Sequence, residues 1–156
     1  MLGQLKNLTG LESSTVQNWV KRGWIARTPD KLYRERQVMR IILINCLRGA
    51  LQLEQIPLIM QYINGSVEDE SDDIITDAAL YDCFCRIIWK CTEQESFGEK
   101  CIRQVIAEEL ENYSPPCPDA AKRLSLALAA MTNAYLSARL KECAFGLVAQ
   151  MQTPKQ

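Results

Sequence analysis

Thr15, Gln17, Asn18 and Lys21 fall on one side of a short helical period whose other side is Val16, Trp19 and Val20. A side-chain amide presents a donor beside an acceptor, the pairing that a base edge offers in the major groove, and a lysine supplies charge for phosphate. Lys6, Arg27, Lys31, Arg34 and Arg36 flank this stretch, so polar readers sit inside a cationic rim, the combination that duplex recognition needs. Ser14 at the start of the period and Tyr33 beyond it complete the candidate DNA-binding set; Tyr33 either packs beneath the neighbouring loop or touches a phosphate. No catalytic constellation competes, since the chain has no histidine to act as a base near neutral pH, no phosphate-cradling glycine loop and no Gly-x-Ser-x-Gly turn. The acidic residues 68–73 lack the glycine and alternate spacing of a calcium loop and read as a solvated linker; Glu108, Glu109 and Glu111 read as a solvated helix face. The seven cysteines, 46, 83, 85, 91, 101, 117 and 143, are odd in number and hold one close pair, Cys83 and Cys85. Without histidine partners or Cys-x-x-Cys spacing they read as small apolar side chains, and neither a metal site nor a cofactor is expected.

Residues 5–33 must position the DNA-reading set. Leu5 and Leu8 share a face of a first helix, which Gly10 ends, and Leu11 returns to the core. Ser14 with Gln17 has capping-box spacing for a second helix that runs to about Arg22, where Gly23 stops it and Trp24 and Ile25 turn inward. Two helices, a tight turn and a short basic segment describe a helix-turn-helix with a small wing. The order of the Leu8-Thr9-Gly10 turn, the following helix, Arg22-Gly23-Trp24-Ile25, Tyr33, and then Leu51, Leu53, Glu54 and Ile56 resembles the DNA-binding domain of the mercury-resistance regulator (MerR) superfamily over residues 2–63. Within it, Val16-Gln17-Asn18-Trp19 and Lys21-Arg22-Gly23 resemble a bacterial branch known as domain of unknown function 1836. The resemblance implies a transcriptional regulator that binds promoter DNA as a homodimer, pairs through a long C-terminal helix and distorts its target. Seven residues between Ile25 and Tyr33 make the wing short.

The rest of the chain reads as helix. Residues 35–49 carry a broad apolar face with Arg36 and Arg40 four apart on an outer basic stripe, and residues 51–64 repeat the pattern with Gln52 as cap and Leu58, Ile59 and Ile63 inward. After the linker, a helix begins near Thr76 and another spans residues 99–113, ended by the prolines of 114–118. Residues 119–151 form the longest helix, with Leu124, Leu128, Met131 and Tyr135 as a candidate dimer seam and a second strip of Leu140, Cys143, Ala144, Leu147 and Met151.

The expected architecture is all-α: residues 1–66 as a winged helix-turn-helix, and residues 74–152 as a helical dimerisation or effector domain with one long helix. Composition is that of a globular chain, 47% hydrophobic and 24% charged. No apolar run reaches the eighteen residues of a membrane span and no secretory leader is visible, so a cytoplasmic location is expected. The net charge of −1 hides a division into about +5, −10 and +4 over residues 1–66, 67–119 and 120–156. Local rather than total charge governs phosphate binding, so the first part is expected to face DNA and the acidic part to face away. Two alternatives stay open: a trihelical protein-binding module at the N-terminus, and a ligand- or partner-binding role for the C-terminal helices, with an unidentified small-molecule effector.

Overall fold

The apolar period at alternating four and three along the end of the chain becomes α7 (Ala120–Met151), 32 residues and roughly 48 Å long at 1.5 Å per residue. The computed structural model describes residues 2–28, 32–95 and 97–151. Before α7 come α1 (Leu2–Thr9), α2 (Ser13–Lys21), α3 (Glu35–Leu47), α4 (Gln55–Asn64), α5 (Asp77–Glu93) and α6 (Glu99–Glu109), with no strand among the described residues. The all-α class is as expected. No helix among the described residues is long and apolar enough to cross a membrane.

α7 packs on α3, α4, α5 and α6, while α5 also packs on α3 and α6, and α1 on α3. A single apolar cluster therefore runs from Trp19 and Ile25 through Ile41 and Leu47 to Leu80, Ile106 and Leu128. Individual caps explain the element bounds. Thr76 accepts the Ala79 N–H at 3.2 Å and starts α5 where the sequence places it. Arg123 on α7 donates to the carbonyls of Tyr62 and Ile63 at 2.8 and 3.0 Å, closing the exposed end of α4 with a cation. α4 begins at Gln55, later than expected, because residues 51–54 turn instead, with the Gln55 side chain accepting the Gln52 N–H at 2.9 Å. That phase leaves Leu58 64% exposed rather than inward.

The largest departure concerns the acidic segment. Arg36 and Arg40 do not form an outer basic stripe. Arg40 is 3% exposed and donates to Asp77 at 3.2 Å; Arg36 reaches Glu70 at 2.6 Å, Asp73 at 3.2 Å and Asp77 at 3.3 Å. Asp77 itself is fully buried in the first turn of α5. The chain between α4 and α5 is thus drawn onto α3 by charge, and two further bonds fix it: Asn64 donates to the Ile75 carbonyl at 2.6 Å and Tyr113 to the Ile74 carbonyl at 2.7 Å. Burial beside Asp77 raises the Asp73 carboxyl to about 6 even though Arg36 pulls the other way. Its Oδ1 is buried without a partner among the described residues. Glu109 is likewise no solvated face: Arg86 and Lys90 of α5 both bond it, and these bonds outweigh burial and hold its carboxyl below the ordinary range.

Candidate nucleic-acid interface

α1 ends where the Gly10 N–H bonds the Lys6 carbonyl at 2.8 Å, and Thr9 ties the turn by accepting the Leu11 N–H at 3.2 Å and donating to Leu5 at 2.7 Å. α2 then starts two residues earlier than the Ser14 capping box requires. Glu12, in extended conformation, is the residue before it, and its carbonyl accepts from Thr15 and Val16, so Ser14 already lies inside the helix and caps nothing. The far end follows the expected pattern closely. Gly23 has φ 72°, its N–H bonds Val20 at 3.1 Å, and the Trp24 N–H reaches back to Trp19 at 3.0 Å. These two bonds make a Schellman stop, which needs the left-handed residue that glycine supplies without strain. Asn45 of α3 donates to the Thr9 carbonyl at 3.0 Å and fastens the α1 turn to the body.

With Val16 and Trp19 buried, α2 can present only one face to solvent. Ser14, Gln17, Asn18 and Lys21 are exposed and Thr15 is half-buried, as expected from the spacing. Arg22 is exposed too, but its guanidinium lies 5.1 Å over the Trp24 ring and 3.3 Å from Glu54, and Lys6 pairs with Glu12 at 2.8 Å. Lys21, Arg27 and Arg34 are exposed and form no ion pair among the described residues. Lys31 lies outside the described residues. Tyr33 is packed into the apolar cluster, the first of its two alternatives, and burial raises its phenol.

The sequence did not point to the neighbour of this face. Val20, Lys21, Gly23 and Arg27 share a notch of about 440 Å³ with Val67 and Glu68, and the Glu68 carboxylate accepts the Arg27 N–H at 3.2 Å. The acidic segment therefore reaches the edge of the cationic rim instead of facing away from it.

The candidate dimer residues lie elsewhere than at a free seam. Leu124, Leu128 and Met131 are fully buried against the other helices, and Tyr135 meets Phe84 edge-on at 5.8 Å. They hold α7 to its own chain. Apart from Leu126, the large apolar side chains that α7 leaves exposed lie in its last three turns, where Leu140, Phe145, Leu147, Val148 and Met151 all face solvent.

Among known proteins, the family described as "Domain of unknown function (DUF1836)" matches residues 1–84. That stretch runs past the acidic segment and contains Asp73 and Asp77, the partners of Arg36 and Arg40. The chain is similar to the "Uncharacterized protein YkrK" of Bacillus subtilis (strain 168), 28% identical over 116 residues, which are 70% of this chain and 50% of that protein. The chain thus spans about half the length of that relative. No solved structure matches.

Proposed function

The chain belongs to the DUF1836 family, and we propose that it is a non-enzymatic regulator that binds duplex DNA through α2, within a MerR-like winged helix-turn-helix, and acts as a homodimer. The observation that carries this reading is the division of α2: Val16 and Trp19 are locked in the core, which commits Gln17, Asn18 and Lys21 to solvent, with Arg27, in no ion pair among the described residues, on the notch that Lys21 lines. In this reading the amides contact base edges and the cations contact flanking phosphates. Dimerisation falls to the exposed turns of α7. Leu140, Ala144, Leu147 and Met151 recur at four, three and four, the seam spacing of paired helices, and a second copy of the same helix matches that length and pattern. One recognition helix reads only a few base pairs, so a two-fold pair requires an inverted repeat with half-sites about one helical turn, or a multiple of it, apart.

The test is mobility-shift titration of the full chain with arbitrary duplex fragments, followed by selection of bound sequences from a genomic pool. Binding at about 50 mM salt that weakens steeply as salt rises supports phosphate neutralisation. Failure to bind at that salt removes the reading, and an enriched site without dyad symmetry removes the dimer geometry while leaving DNA binding intact.

A further inference from the structure

Between α3, α5 and α7 the chain leaves a cavity of about 290 Å³. Its walls come from both halves of the molecule: Cys46 from α3, Tyr81, Phe84, Cys85 and Trp89 from α5, and Tyr135 from α7. The edge-on contact of Tyr135 with Phe84, ring planes at 86°, joins two of these walls. Trp89 at the mouth is 65% exposed although the interior beside it is apolar. No charged side chain lines the space among the described residues. The polar groups present are hydroxyls, thiols and the Trp89 indole N–H. Burial, with Cys85 nearby, pushes the Cys46 thiol up, and a hydrogen bond with Cys85 raises the Tyr81 phenol, so both stay neutral near pH 7.

We propose that this cavity is a small-molecule site for a neutral, flat aromatic ligand of about two fused rings. Three features select that class. The volume, about 290 Å³, lies just under the ~300–1,000 Å³ of ordinary ligand pockets and so suits a small ligand. Walls of four aromatic rings suit edge and offset stacking with another ring. The absence of a charged group makes the transfer of an ion into it costly, whereas Tyr81 and the thiols can answer one or two hydrogen-bonding atoms. The inference does not rest on DNA binding and holds for the chain whether or not α2 meets a duplex.

The experiment is titration of the full chain with prodan, a neutral fluorescent naphthalene ketone. Saturable, blue-shifted emission at one site per chain is expected, weakened about tenfold or more by Cys85→Trp, which fills the mouth from an exposed position. Leu58→Asn, exposed on α4, which contributes nothing to the cavity, should leave it unchanged. As a measurement that needs no variant, bound dye should slow alkylation of Cys85 by iodoacetamide and leave exposed Cys101 at its original rate. Absence of saturable binding, binding that survives Cys85→Trp in a folded protein, binding abolished by Leu58→Asn, or equal protection of Cys85 and Cys101 would each overturn the site.

Discussion

Asn18 and Lys21 sit one turn apart on α2, and the reading assigns them different work, so their substitutions should separate. Removing an amide that pairs with a base edge costs about 1–3 kcal/mol at the preferred site only, whereas removing a phosphate contact weakens all sequences alike and flattens the salt dependence. Gln17→Ala and Asn18→Ala should therefore relax sequence preference, and Lys21→Ala should leave preference intact while lowering affinity on every duplex, as read by parallel titrations on selected and scrambled sites. Asp77 governs a different quantity. Both Arg36 and Arg40 reach it, and Arg40 has almost no solvent to fall back on. Asp77→Ala leaves a buried cation uncompensated and should destabilise the chain by about 3–5 kcal/mol in urea denaturation, with the helical fold either lost or strongly weakened. A variant within about 0.5 kcal/mol of wild type would show that Arg40 finds water or another acid.

The helices differ in what their substitutions can disturb, α7 most of all, because it changes environment along its length. Along its first two thirds one side is buried in the core, and its last three turns are exposed all round. Leu128→Asp puts a charge among apolar neighbours and should unfold the monomer, while Leu147→Asp, under the proposed pairing through α7, should lower the mass seen in light scattering and change melting of the monomer little. Equal losses of melting temperature in both would mean that the exposed turns are covered by the chain's own residues. Helix existence was legible at this scale: the Thr76 cap, the Gly23 stop and the Leu124, Leu128, Met131 period all appear where local chemistry placed them. Which face a helix buries was legible only where the face is apolar. Arg36 and Arg40 at i, i+4 show that two cations share a side of α3, yet nothing local says that acids more than thirty residues later fold onto that side. The same limit hid Glu109, whose partners are on α5, and Glu68, which meets Arg27 across the chain. In α7, period alone did not tell a self-packed strip from a free one, since both repeat at four and three.

For the whole molecule, two carboxyls with opposite shifts bound the pH of greatest stability. Asp73 is raised in the folded state to about 6, so the fold holds its proton more tightly than the unfolded chain does. The stability it contributes is fully present below the ordinary Asp range and is lost as pH rises through about 6. Glu109 is lowered, so its contribution is present above the ordinary Glu range, ~4.3, and is lost as pH falls through its depressed value. Melting temperature followed from about pH 3 to pH 8 should therefore peak on the order of pH 4, where the Glu109 contribution is nearly complete and the Asp73 contribution has only begun to fall, Asp and Glu titrating at ~3.9 and ~4.3 in the unfolded chain. Asp73→Asn should flatten the descent on the alkaline side and leave the acid side in place; an unchanged alkaline limb would remove Asp73 as its cause.

The buried contact of Arg40 with Asp77 also decides how this protein can be cut and reused. A fragment ending at residue 66 would carry α2 but lose the acid that pairs with Arg40, and it would bare to water the apolar side of α3 that α5 and α7 cover. Such a piece should precipitate or stay unfolded by circular dichroism when expressed alone. Grafting α1 to α4 onto another protein consequently requires carrying α5 with them, because the electrostatic keystone of that segment is supplied by the element that follows the apparent joint.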